Sequence, residues 1–279
     1  MRDIIVFFVF ISVFTFSYAV VPLNTLKKSS DLKVPAKKVV EKTFIAIDKS
    51  SHVELGELDD DANVFIYNES GTLSEIREID KDGNLIVLYV LEYDKSNQKV
   101  SEKKYDKNNN LSAYSTFTYG KGGQIKQESV YSQTGDLLYS FVFEYDKKGN
   151  LVLHKRVNPD NEGQGTSMSY EYDVNNRLTS EKTSNKSGVT MSSKQYSYNA
   201  KGLVSEDKRL DKDGAVRVVI TYLYDDNGNK ISMTTSQQND FSVTVDIRYE
   251  FDEKGNWIRQ TVFRNEVIPT RVITREISY

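Results

Sequence analysis

Cysteine is absent from all 279 residues, and proline (4), tryptophan (1) and histidine (2) are scarce. Without cysteine there is no disulfide framework, no thiolate metal centre and no lipid-bearing cysteine, so stability rests on packing alone. Charge of one sign is also missing: 37 Lys and Arg stand against 40 Asp and Glu, a net charge of −3. Nucleic acid and anionic lipid both require a basic footprint that this chain lacks. A long hydrophobic run occurs only at the start, from Ile4 to Phe16, after Arg2 and before Ser17-Tyr18-Ala19. That apolar core is shorter than the ~20 residues of a spanning helix, and the small residues after it suit signal-peptidase cleavage behind Ala19. The expectation is a signal peptide over 1–19, an exported mature chain beginning at Val20, and no transmembrane segment after cleavage.

Tyrosine is abundant, with 18 copies. Many close a motif that recurs along the chain, as in Phe143-Glu144-Tyr145-Asp146-Lys147-Lys148-Gly149-Asn150. The copies centre on Tyr67, Tyr93, Tyr119, Tyr145, Tyr172, Tyr198, Tyr224 and Phe251, and Tyr279 stands where one more falls. The intervals are 26, 26, 26, 27, 26, 26, 27 and 28 residues, a fixed period that marks a repeat architecture. Residues 20–51 read as a basic linker carrying Lys27, Lys28, Lys33, Lys37, Lys38 and Lys42, with a first strand at Thr43 to Ile47. Residues 52–279 form the repeat domain.

Inside each period apolar residues alternate with polar ones, as in Leu85-Val87-Tyr89-Leu91-Tyr93 and Val216-Val218-Ile220-Tyr222-Tyr224. Period two is a strand with one buried face. After each Tyr comes a turn such as Asp146-Lys147-Lys148-Gly149, in which Asp binds its own backbone and Gly or Asn tolerates a left-handed residue. A shorter, more polar strand follows, and then a second turn such as Asp80-Lys81-Asp82-Gly83. The expected fold is all-β: a repetitive antiparallel hairpin meander of about eight 26-residue repeats and about 16 strands. A flat sheet that wide must curl, here into a spiral, an open barrel or a layered sheet with the tyrosine face inward.

Three segments carry a family resemblance: Phe143-Glu144-Tyr145-Asp146-Lys147-Lys148-Gly149-Asn150-Leu151, Tyr170-Glu171-Tyr172-Asp173-Val174-Asn175-Asn176-Arg177-Leu178 and Tyr249-Glu250-Phe251-Asp252-Glu253-Lys254-Gly255-Asn256. They resemble the tyrosine-aspartate (YD) repeats of the Rhs-like family of bacterial secreted and cell-surface proteins. The resemblance runs from Tyr67 to the end of the chain. It implies a β-rich spiral sheet without catalytic residues that serves as a shell, spacer or binding surface.

No arrangement of residues points to catalysis or to a cofactor. His52 and His154 read as solvated side chains, in a loop and a polar strand. The acidic run Glu54-Leu55-Gly56-Glu57-Leu58-Asp59-Asp60-Asp61 reads as a solvated loop, and Asp80-Lys81-Asp82-Gly83-Asn84 as a turn that lacks the downstream glutamate of a calcium loop. Trp257 occupies the strand position of Leu151 and Leu178 and reads as core. The expected function is a non-enzymatic scaffold or interaction protein of the cell envelope, periplasmic or at the cell surface, with a protein partner. The alternative is a carbohydrate-binding module. An outer-membrane barrel needs an outward apolar band, and Ser101-Glu102-Lys103-Lys104 and Ser205-Glu206-Asp207-Lys208-Arg209 put charge on both faces. Because the rings fall in the inward register, with Tyr114 the main exception, the sequence favours a salt-sensitive protein contact over sugar stacking.

Overall fold

The computed structural model describes residues 32–159, 165–238 and 241–279. The expected signal peptide and its cleavage site lie outside them. Nineteen strands follow one another: β1 (Lys38–Asp48), β2 (Val53–Leu58), β3 (Ala62–Tyr67), β4 (Leu73–Ile79), β5 (Leu85–Tyr93), β6 (Lys99–Tyr105), β7 (Leu111–Tyr119), β8 (Ile125–Ser132), β9 (Leu137–Tyr145) and β10 (Leu151–Val157), then β11 (Ser167–Tyr172), β12 (Leu178–Ser184), β13 (Thr190–Tyr198), β14 (Val204–Asp211), β15 (Val216–Tyr224), β16 (Lys230–Gln237), β17 (Ser242–Phe251), β18 (Trp257–Arg264) and β19 (Ile268–Ser278). Among the described residues every pairing is antiparallel, and all join chain neighbours except β1 with β19 and β1 with β3.

The turns form as their residues require. Asp94 Oδ1 accepts the N–H groups of Ser96 at 2.8 Å and Gln98 at 2.9 Å, and Asn97 holds the left-handed position at φ 59°. Asp146, Asp173 and Asp211 repeat this arrangement. All the tyrosine-aspartate turns fall at one end of the strands, and the second turns at the other.

The sixteen strands expected from the repeats are β3 to β18. They do not stay open. β1 pairs with β19 from Lys38 to Ile45 and with β3 from Lys38 to Glu41, so the meander closes into an 18-stranded barrel with β2 as one extra strand. The spiral and the layered sheet thus give way to closure, because β1, which lies wholly in the stretch read as linker, bonds on both sides. Eighteen strands at about 4.8 Å spacing and about 40° tilt close at a diameter of about 35 Å. A ring of that size keeps a lumen.

Chirality decides which face lines it. Cross-strand partners run from Phe65 through Ile76, Tyr89, Lys104 and Ala113 to Ser132, a steady walk toward the far end. Barrel strands tilt in one hand, so this walk orders the strands as seen from outside, and L-residues then place the tyrosines inside. Exposure agrees, since side chains converge on a concave face. Leu91, Phe141 and Phe143 on the tyrosine face are 4, 5 and 7% exposed, while Leu223 on the opposite face is 64% exposed.

Candidate functional site in the barrel lumen

The repeat anchors line one rim of the lumen. Tyr93, Tyr119, Tyr145, Tyr172, Tyr198 and Tyr224 each donate their hydroxyl to the first carbonyl of the preceding strand, those of Leu73, Lys99, Ile125, Leu151, Leu178 and Val204, at 2.6 to 3.0 Å. Those carbonyls lie at register shifts, where the ladder is interrupted. Tyr67 is buried in a cluster with Ala36, Val39, Leu73 and Leu91. The eighth anchor departs from the rule. Phe251 has no hydroxyl, Tyr249 donates to Lys230 O at 2.9 Å instead, and the Phe251 ring is 44% exposed.

Deeper in the lumen the shorter strands contribute charge. Because the side-chain period is two, alternate residues of these polar strands also point inward, against the rings of their neighbours. Lys99 lies over Phe117 at 4.2 Å, Arg156 over Tyr139 at 4.1 Å and Lys230 over Tyr222 at 4.2 Å. Lys99 pairs with Glu102 at 2.7 Å, Lys194 with Glu181 at 3.3 Å and Arg209 with Asp207 at 3.7 Å. Burial pushes the Glu128 carboxyl up, and the Tyr170 and Tyr196 phenols likewise.

His154 corrects its sequence reading. It pairs with Phe143 across the ladder, which sets it inward, and it is 6% exposed rather than solvated. Its Nδ1 lies 2.9 Å from the Tyr170 hydroxyl, and burial lowers its pKa. His52 stays exposed beside Glu54 at 3.0 Å. Trp257 is buried as expected of core, with the Arg275 guanidinium 3.6 Å above its ring.

Asp207 is the most constrained of the inward acids. It is 6% exposed, and its Oδ1 has no hydrogen-bond partner. Burial raises its pKa above 3.8 and Glu181 adds to that, against the opposing pull of Arg209 and Lys194. A carboxyl held above its unfolded value weakens the fold while ionised, and the loss is relieved as pH falls through the folded pKa toward 3.8. Asp207→Asn should therefore raise the urea midpoint at pH 7, and the gain should vanish on acidification. The turn carboxylates Asp106 and Asp146 have the opposite sign. Backbone and Asn hydrogen bonds lower them, so their contribution is lost as pH falls. A midpoint unchanged at pH 7 would contradict the burial of Asp207 with its Oδ1 left without a hydrogen bond.

Two further features lie at the rims. At the tyrosine end a cavity of about 310 Å³ is lined by Leu32, Asn227, Tyr249, Phe251, Trp257 and Gln260. Near the far end, Asp60 and Asp61 come close to Glu78 and Asp80, so that two acidic stretches separate in sequence form one corner. Burial first, then the neighbouring carboxylates, raise Asp61 and Glu78. Among the described residues no group of three or more His, Cys, Asp or Glu is placed to hold a metal ion. The inward charges of the short strands escape the simple alternation pattern, and the signal that marks them in the sequence is the tyrosine register carried through each bulge.

On the outer wall, Lys103 pairs with Glu92 at 2.6 Å and Lys182 with Glu171 at 2.7 Å. Tyr114 lies there too, stacked on Tyr131 at 4.9 Å.

No family model and no curated protein matches the chain. Among solved structures, a porin-like protein from Bacteroides uniformis aligns over 88% of this chain and 98% of its own at 11% identity, with a TM-score of 0.48. A porin-like protein from Bacteroides vulgatus aligns over 88% and 99% at 12% identity, with a TM-score of 0.39. The Photorhabdus luminescens Tc holotoxin pore aligns over 79% of this chain and 16% of its own at 12% identity, with a TM-score of 0.21.

Proposed function

We propose that the chain is an exported, non-enzymatic interaction barrel of the cell envelope, built from YD-like repeats and facing water on both sides. One observation carries this reading: the outer wall is laced with cross-strand ion pairs such as Glu92 with Lys103 and Glu171 with Lys182. A lipid-facing wall requires an unbroken apolar band. The same mixed charge suits a protein partner held in part by electrostatics. The ring tyrosines and turn aspartates support a non-catalytic role, since their polar atoms are committed to the backbone.

Exported protein should begin near Val20 on N-terminal sequencing and should partition into the aqueous phase of a detergent separation. Envelope-fraction capture should yield a protein whose retention falls steeply between low and high salt. Recovery in the detergent phase, or salt-indifferent retention, would count against the reading. A second reading, carbohydrate binding, is favoured by the exposed Phe251 ring beside Asn227 and Gln260 in the rim cavity. Calorimetry with a soluble oligosaccharide panel and Phe251→Ala tests it.

A further inference from the structure

Ring closure leaves one strand outside the barrel ladder. Among the described residues, β2 pairs only with β1, from Asp48↔Val53 to Phe44↔Leu58, across a register shift. Beyond Ile45, β1 leaves its partner β19 and carries β2 away from the ring. The hairpin folds back along the outer wall, because Arg259 on β18 donates to the Val53 carbonyl at 2.7 Å. Under it the outer wall is closed off, with Val272 at 0% and Phe263 at 6% exposure.

The backbone of this hairpin has a definite polarity. Lys49 N–H bonds His52 O at 3.0 Å, and Ile47 then faces Glu54 across the ladder. Antiparallel pairs alternate between bonded and non-bonded, so Val53 and Leu55 turn their N–H and C=O groups away from β1. The Val53 carbonyl is taken by Arg259. The Leu55 groups turn to the same side, outside the β1 ladder, on a residue 43% exposed. An unpaired edge of this kind is a template for one more strand.

The chemistry around the edge is acidic. β2 runs into Asp59, Asp60 and Asp61, with Glu57 exposed beside it, and Asp60 and Asp61 lie near Glu78 and Asp80. Asp59 is paired, with Arg271 at 2.6 Å, and Glu54 with His52 at 3.0 Å. Asp61 and Glu78 instead lie among neighbouring carboxylates, with Lys104 offsetting part of the charge around Glu78, while Asp80 accepts from Asn84 N–H at 2.8 Å. Such a corner repels an acidic segment and attracts a basic one. Gly56 shapes the strand as well, since a Cβ there would stand 2.8 Å from the Ile45 carbonyl.

We infer that the free edge of β2, together with the acidic corner beyond it, docks an extended segment of a partner protein in which Lys or Arg alternates with apolar residues, added as a further β-strand. The edge supplies main-chain hydrogen bonds, exposed Leu55 meets the apolar positions, and the carboxylates meet the basic ones. This inference rests on the protein-partner reading above and locates its contact.

The probe is a capped, fluorescently labelled octapeptide of alternating lysine and valine, titrated against the mature protein by anisotropy. Micromolar affinity is expected, at least about tenfold weaker for the alternating glutamate-valine peptide and falling steeply with salt. Leu55→Pro removes an N–H that bonds nothing in β1 and should weaken binding about tenfold with an unchanged circular dichroism spectrum. Should that variant misfold, a probe N-methylated at alternate residues must lose affinity to the same degree on the unmodified protein. Asp60→Asn with Asp61→Asn should reduce the salt dependence. No binding at millimolar probe, or equal binding by Leu55→Pro and by the methylated probe, overturns the inference. A native partner that Leu55→Pro still captures in full overturns it too, while leaving the protein-partner reading standing. Edge-dependent probe binding with no native protein captured from the envelope would do the reverse, upholding the edge as a strand-docking site and counting against the protein-partner reading.

Discussion

Glu41→Ala is expected to destabilise the barrel by about 3–5 kcal/mol, the usual cost of leaving one member of a buried ion pair without the other. Glu41 stands on β1 between Asn63 of β3 and Arg275 of β19, at the seam where the ring closes. Its carboxylate accepts from Arg275 Nε at 3.0 Å, and the two side chains are 13% and 6% exposed. Arg275 also covers the Trp257 ring, so weakening its hold loosens both β18 and β19. Glu41→Gln keeps an acceptor and should cost clearly less. Urea unfolding measures the loss, and hydrogen exchange at residues 38–45 should show the seam opening first. A cost below about 1 kcal/mol, the range of an exposed pair such as Lys103 with Glu92, would mean that β1 does not seal the ring.

Phe143→Ala should cost about 3–5 kcal/mol, as large-to-small changes of buried aromatics do. Phe143 is 7% exposed, clusters with Ile125 and Phe141 and lies 5.8 Å from the His154 ring. The informative companion is Tyr279→Ala. On an open meander the last strand has one neighbour, and its final residue contributes little. Here β19 lies between β18 and β1. The Tyr279 hydroxyl accepts from Asn256 Nδ2 at 2.7 Å and donates to Asp252, with Lys254 over the ring. A loss of about 2–3 kcal/mol is expected for Tyr279→Ala. Chemical denaturation that finds Tyr279→Ala neutral would return the chain to an open sheet.

How much was legible follows from the range of each interaction. The eight hairpins could be read from Tyr, Asp and Gly because a turn is a local matter: Asp146 binds Lys148 and Asn150 within four residues. The inward face was legible for the long strands, where Leu, Phe and Tyr alternate. It was not legible for the short ones, where His154 and Asp207 occupy inward positions that look like surface. The register shift after each tyrosine moves them there, so that only the tyrosine register counted through each bulge, and not the alternation of polar and apolar residues, marks them. The edge of β2 was invisible for a related reason, since it exists only because β1 leaves the ring.

By itself the sequence determined the period, the antiparallel order of neighbouring strands and the face that carries the tyrosines. Those depend on hydrogen bonds and alternation within about thirty residues. Tertiary structure alone decided that the two ends of the chain meet. Val39 faces Ile277 and Phe65 across contacts more than two hundred and more than twenty residues long. Closure needs the accumulated twist and stagger of all the intervening strands to bring β19 beside β1, a sum over the whole chain that no single repeat contains.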